Sequence, residues 1–196
     1  MNEGEKNSIN IKSEKIEKEN KAELLGLELT EFEDKYLEGS LNLIKQQGEM
    51  VFDENDVREA KEDLERCLRN HERDIHYFVA KDKTDQVKGL AGYGQEELSP
   101  EIYYLAWFAV DKELQNQGLG KALLEKIENE LKEKGQARQV IVRVWDKGPD
   151  DPLERFYKKV GFERAGSIPD YWGDGYDLVF FTKRLKPKKE VENENN

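Results

Sequence analysis

Residues Ile102-Tyr-Tyr-Leu-Ala-Trp-Phe-Ala-Val110 form an unbroken run without a single charged side chain. A strand wetted on one face alternates apolar and polar residues, so a run apolar at every position needs cover on both faces. The run therefore predicts a central strand, and the chain must supply elements to pack on either side of it. One follows directly. Gly118–Lys134 is amphipathic, with Leu123, Leu124, Ile127 and Leu131 on one stripe. Glu128–Lys132 and Glu130–Lys134 are favourable i,i+4 pairs, and Gly135 is a C-terminal stop.

The rest of the chain reads in the same way. Leu24–Thr30 is a short first strand, and Glu31–Gln47 a helix. A second helix over Asp56–Asn70 places Val57, Ala60, Leu64, Cys67 and Leu68 on one face. Tyr77–Lys81 and Val87–Gly94 are strands joined at Lys83-Thr84-Asp85-Gln86. Val140–Val144 alternates around Arg143 and is a further strand. Asp151-Pro152-Leu153-Glu154 combines a capping carboxylate, a proline at the first helical position and a glutamate three residues after the cap. Leu153, Phe156, Tyr157 and Val160 continue that helix as a stripe ended by Gly161. Phe162–Ile168 and Tyr176–Lys183 are the last strands, with Asp174-Gly175 near their turn. The order β-α-α-β-β-β-α-β-α-β-β predicts an α/β fold, a mixed sheet with helices packed on it.

Composition narrows the function. In 196 residues there is room for one domain, placed at 24–185. Residues 1–23 and 186–196 are charged and poor in apolar positions, and are expected to be tails. A net charge of −11 argues against a nucleic-acid binder, which needs a basic footprint, and is compatible with a cationic partner. No run reaches the roughly 18 apolar residues of a membrane helix, and no signal-peptide pattern precedes the domain. A single cysteine cannot form an internal disulfide, so the expected setting is a reducing cytoplasm. Cys67 reads as a small core side chain. His71 and His76 lack metal-ligand spacing, and no metal is expected.

Between the apolar strand and the amphipathic helix lies Gln115-Asn116-Gln117-Gly118-Leu119-Gly120-Lys121. A helix start offers unpaired N–H groups and partial positive charge, and glycines let phosphate oxygens approach the backbone. Taken alone, Gly-x-Gly is more often a polar turn. Two other phosphate loops fit poorly. A Walker loop requires glycine where Gln115 stands and Ser or Thr where Ala122 stands, and a dinucleotide fingerprint requires a small residue at Leu123.

Gln-x-x-Gly-x-Gly after a strand ending Ala109-Val110-Asp111 resembles the acyl-CoA signature of the GNAT superfamily of N-acyltransferases. Phe156-Tyr157-Lys158-Lys159-Val160-Gly161-Phe162 resembles that superfamily's Phe/Leu-Tyr-x-x-x-Gly-Phe helix. The two segments stand in the family's order and at about its separation, and the resemblance covers about Leu24 to Leu185. It implies a mostly antiparallel GNAT sheet with flanking helices and a cleft where the central strands splay. It further implies acetyl-CoA as acyl donor, transferred directly to an amine of a small molecule or peptide. Backbone groups of Phe108, Ala109 and Val110 would pair with the pantetheine arm. The loop opened by Gln115 would bind the cosubstrate, with the N–H groups of Asn116, Gln117, Gly118, Leu119, Gly120 and Lys121 around the pyrophosphate. Tyr157 would be the general acid toward the leaving thiolate.

The match is incomplete at the base. Where relatives acting on ribosomal-protein N-termini carry an Asn, this chain has Asp150. Ile141 and Tyr104 occupy positions at which other relatives carry a glutamate. Glu101, Tyr104, Asp146 and a water-mediated route remain as candidates for removing the amine's proton. A silent acyl-CoA-binding module and an enzyme using another acyl donor are the alternatives. The oligomeric state is not readable.

Overall fold

The structure, a computed structural model, describes residues 22–23, 25–47, 53–69, 75–135, 137–146 and 152–186. Apart from Ala22, Glu23 and Lys186, the expected tails lie outside these residues, as do Leu24, Asn70, His71, Asp150 and Asp151. The elements are β1 (Glu28–Glu31), a 3-10 turn (Asp34–Tyr36), α1 (Leu37–Gln46), α2 (Glu54–Arg69), β2 (Ile75–Lys81), β3 (Val87–Glu96) and β4 (Ser99–Val110). A second 3-10 turn (Lys112–Leu114) leads to α3 (Leu119–Glu133), β5 (Gln139–Asp146), α4 (Pro152–Lys159), β6 (Glu163–Ile168) and β7 (Asp177–Arg184).

This is the expected order. The first strand starts later than Leu24, at Glu28 after a turn at Leu25-Gly26, and runs one residue past Thr30, and the first helix begins later than Glu31, at Leu37. The Phe32 N–H donates to the Tyr77 carbonyl at 3.0 Å, so the chain is still bonded along β2 where a helix was expected. Among the described residues seven strands form one sheet in the order β1-β2-β3-β4-β5-β7-β6. β4 and β5 pair in parallel over Ile102↔Gln139, Tyr103↔Val140 and Tyr104↔Ile141. The pairs β1–β2, β2–β3, β5–β7 and β6–β7 are antiparallel.

The chain divides into two compact units, one comprising residues up to Gly94 with Leu105–Glu130, the other Gln95–Tyr104 with Leu131 onward. In the first, Ile75, Tyr77 and Val79 alternate onto one face of β2. There they meet Leu41 and Ile44 of α1 and Ala60 and Leu64 of α2 in a single core. Cys67 packs against this core half-buried, and burial pushes its thiol pKa up, as for a structural rather than a reactive cysteine. The opposite face carries Phe78, Ala80 and Tyr93. Lys126 of α3 lies over the Phe78 ring at 5.0 Å, and Tyr93 donates to Glu130 at 2.5 Å.

Gly89 leaves the gap that α3 fills: a Cβ there would stand 2.8 Å from Leu123 Cδ1 and 3.3 Å from the Ala80 Cβ. Gly89→Ala is expected to destabilise by about 1 kcal/mol, since the Leu123 tip must shift, lowering Tm by about 2–4 °C. An unchanged Tm by calorimetry would contradict this packing.

β4 is fourth of seven strands, yet it is not covered on both faces throughout. Tyr103, Leu105, Ala109 and Val110 are buried, while Tyr104, Ala106, Trp107 and Phe108 are only partly so. Large aromatics with a polar tip need a partner for that tip. Trp107 Nε1 donates to Asp63 of α2 at 2.9 Å, and the Tyr104 ring faces the Arg143 guanidinium at 5.6 Å.

In the second unit Val140, Val142, Leu178, Val179 and Phe181 are buried with Tyr157, Val160 and Phe162. Leu153 was expected on the α4 stripe but is exposed, in the first turn of the helix, one turn before the buried Tyr157. Gly161, at φ +90°, ends α4, and Lys183 Nζ caps the Val160 carbonyl at 2.7 Å.

Candidate active site

β4 ends by clamping its last residues from both sides. The Asp111 N–H donates to the Lys88 carbonyl at 2.9 Å, and Lys88 Nζ returns to Asp111 Oδ2 at 3.0 Å. Burial pushes the Asp111 carboxyl pKa up, but the hydrogen bonds from Lys88 and the Glu113 N–H, with the lysine's charge, outweigh it and leave it below the usual range. Asp111 Oδ1 caps the following turn through that Glu113 N–H at 3.0 Å.

The loop then folds tightly. Asn116 (φ 61°) and Gly118 (φ 96°) both take the left-handed conformation, which asparagine tolerates and glycine accepts without strain. The Ala122 N–H is the first to bond back, to the Gly118 carbonyl at 3.0 Å. The N–H groups of Leu119, Gly120 and Lys121 thus have no intrahelical acceptor.

The start of α3 also differs in charge from those of the other described helices. α1, α2 and α4 carry Glu38, Glu54 with Asp56, and Glu154 in their first turns, which complement the positive helix end. α3 has no acidic residue there. Lys121 reaches down the helix to Glu125 at 3.5 Å, half-exposed. What remains is an anion cradle of bare N–H groups beside two positions without a Cβ, and a pyrophosphate fits this donor set.

Other expected residues are placed as follows. Gln115 does not extend its amide away from the protein. Its Nε2 lies 3.4 Å from the Val110 carbonyl and 3.3 Å from Gln47 Oε1. The Asn116 and Gln117 side chains are exposed, and Gln117 Nε2 donates to the Glu113 carbonyl at 2.6 Å. Phe108 is half-buried, while Ala109 and Val110 are buried.

In the second unit Glu101, exposed at the start of β4, is paired with Arg138 at 3.3 Å. Tyr104 belongs to a cluster with Arg143, whose guanidinium also binds Glu96 at 2.5 Å. The backbone of Asp146 pairs with Asp177, and its side chain lies outside the described residues.

Tyr157 is only 4% exposed. Its ring stacks on Phe181 at 5.7 Å and meets Phe162 and Phe156 edge-on at 5.6 and 5.3 Å. Burial pushes its hydroxyl pKa well above the ordinary value, so the group keeps its proton at neutral pH and is a donor.

Sequence reasoning missed Gln47, Lys88 and Glu96. No local pattern marks them, since each acts on a residue distant in sequence. Among the described residues no His/Cys/Asp/Glu group could hold a metal ion, and no helix is long and apolar enough to cross a membrane.

Residues 73–164 match the acetyltransferase (GNAT) domain, so the chain carries a GNAT acetyltransferase domain in a GNAT fold and is an acyltransferase. No curated protein sequence matches it significantly.

Among solved structures it is similar to a GNAT-family protein from Desulfovibrio desulfuricans, with TM-score 0.75, 21% identity, and 82% of this chain and 99% of that one covered. It is also similar to an aminoglycoside 6'-N-acetyltransferase complexed with coenzyme A, with TM-score 0.66, 16% identity, and 83% and 99% covered. A third is the ribosomal-protein-S18-alanine N-acetyltransferase from Escherichia coli, with TM-score 0.64, 19% identity, and 84% and 97% covered.

Proposed function

We propose that this chain transfers an acetyl group from acetyl-CoA to the amine of a small molecule or peptide. Donor and acceptor are bound together, and the amine attacks the thioester directly. The observation that carries the donor assignment is the α3 start: three unpaired N–H groups, Gly118 and Gly120, and no acid in the first turn. The similar aminoglycoside enzyme with coenzyme A bound supports the same reading.

In this reading the N–H groups of Leu119, Gly120 and Lys121 hold the pyrophosphate within the loop Asn116–Lys121, whose Gln117 N–H already donates to the Leu114 carbonyl at 3.4 Å, and Phe108 and Ala109 offer backbone groups to the pantetheine arm. The Val110 carbonyl already accepts two side-chain amides, so it contributes less than the family pattern implies. The amine nitrogen bonds to the acyl carbon, the carbon–sulfur bond breaks, and the Tyr157 hydroxyl donates toward the sulfur as it gains charge. N–H groups of β4 stabilise the oxyanion. Glu101 is engaged by Arg138 and Tyr104 is held against Arg143, so neither is a free base in this geometry. The amine proton therefore leaves through water or Asp146.

The acceptor is cationic in this reading. Tyr171, Trp172 and Tyr176 are exposed in the β6–β7 turn, Tyr176 packs on Trp145 at 5.1 Å, and no Lys or Arg occurs from Ala165 to Thr182. Aromatic faces beside aspartates attract ammonium groups. Two of those aspartates are structural: Asp170 Oδ1 accepts the Gly175 N–H at 2.7 Å, and Asp177 Oδ1 accepts the Asp170 N–H at 3.1 Å.

Asp174 is outside that framework, so Asp174→Asn isolates charge. It is expected to raise KM about 2–5-fold for a diamine or basic peptide, more at low salt, and to leave KM for a neutral amine unchanged. CoA release across an amine panel measures this. Equal KM changes for charged and neutral acceptors would remove the cationic assignment.

A further inference from the structure

Every polar position of the Gln47 side-chain amide is used. Its Nε2 donates to the Leu43 carbonyl at 3.0 Å, one of the carbonyls that the end of α1 leaves open, and to the Val110 carbonyl at 3.2 Å. Its Oε1 accepts from Gln115 Nε2 at 3.3 Å, and that same nitrogen also reaches Val110. Three segments thus meet on one planar amide: the end of α1, and, 63 residues further along the chain, the last residue of β4 with the first residue of the glycine loop just after it. The Val110 carbonyl ends the strand opposite the Asp111 N–H, which is taken by Lys88. Without Gln47 this carbonyl and the Gln115 amide would each lose a partner, and on this side of the loop only the 3.4 Å contact of Gln115 with Val110 would remain beside the Lys88–Asp111 anchor.

We infer that Gln47 is a positioning residue for acyl-donor binding. It does not touch the donor; it fixes the strand end and Gln115, from which the N–H groups of Asn116–Lys121 take their direction. This rests on the donor assignment made above. A loop that must present several N–H groups to one pyrophosphate gains affinity from being held in place beforehand, because less ordering is left to binding. A lost anchor therefore appears in donor affinity rather than in the chemical step.

The variants are Gln47→Leu, which removes both donors and the acceptor at similar volume, and Gln47→Glu, which keeps the acceptor and loses the donors. Calorimetric titration with acetyl-CoA is expected to give a Kd about 3–10-fold weaker than wild type for Gln47→Leu, the size of effect of one or two neutral hydrogen bonds. Gln47→Glu is expected to fall at or near the same value. KM for acetyl-CoA rises in parallel, while kcat and the acceptor's KM stay within about twofold. Amide hydrogen exchange without ligand is expected to quicken at Asn116–Gly120 and to stay unchanged in β2, a pattern that a general loss of stability would not give.

Unchanged acetyl-CoA affinity and unchanged exchange in a folded Gln47→Leu protein would overturn the inference. Wild type failing to bind acetyl-CoA at all would overturn the donor assignment beneath it, so the two failures are separable.

Discussion

Gly120→Val is expected to weaken acetyl-CoA binding about 10–100-fold while Tm stays within a few degrees of wild type. Gly120 is the second residue of α3, and its N–H is among those with no intrahelical acceptor. Hydrogen bonds to a charged oxygen contribute about 1.5–3 kcal/mol each, and a branched Cβ there keeps the phosphate from at least one. The helix itself should not suffer, because valine has a somewhat better helix propensity than glycine. Calorimetry with acetyl-CoA, checked against thermal unfolding, separates the effects. Wild-type affinity in a folded variant would mean that the phosphates bind elsewhere.

Tyr157→Phe is expected to lower kcat about tenfold and at most about a hundredfold, with KM for acetyl-CoA nearly constant. The ring contacts with Phe156, Phe162 and Phe181 survive the substitution, so stability should barely move. What is deleted is one hydroxyl whose pKa burial has raised. General acid catalysis spans about 10²–10⁴-fold, yet the departing thiolate, whose thiol has a pKa of about 8.5, is a weaker base than this tyrosinate, so full proton transfer is uphill. Donation to the charging sulfur remains, which places the effect at or below the bottom of that range. Because the interaction grows only as the carbon–sulfur bond breaks, it belongs to kcat. A single-turnover rate equal to wild type would reduce Tyr157 to a packing residue.

The loop was legible because its evidence is local. Gly118 and Gly120 stand just after an apolar strand and at the head of an amphipathic stripe, and the backbone there behaves as that pattern requires. The place of Tyr157 on a short helix closed by Gly161 was legible for the same reason. In β4, unbroken apolarity marks its central rank but hides that Trp107 Nε1 donates to Asp63 and that the Tyr104 ring faces Arg143.

The anchors of the loop were not legible at all. Gln47 sits 63 residues from Val110 at the end of an ordinary helix, and Lys88 meets Asp111 only through the sheet. A glutamine or a lysine on a surface-facing position has no periodicity to betray its partner. Asp174-Gly175 marks the last turn in the sequence, but only hydrogen bonding separates Asp170 and Asp177, which build the turn, from Asp174.

The central claim is that the start of α3 holds an acyl-CoA pyrophosphate, and titrating acetyl-CoA into the wild-type chain by calorimetry tests it most directly. The account predicts saturable binding of one acetyl-CoA per chain, with Kd in or below the roughly 1 μM–1 mM range usual for enzyme substrates, competed by free CoA and weakened in Gly120→Val. Absence of binding at millimolar acetyl-CoA, or binding that Gly120→Val leaves untouched, would contradict it.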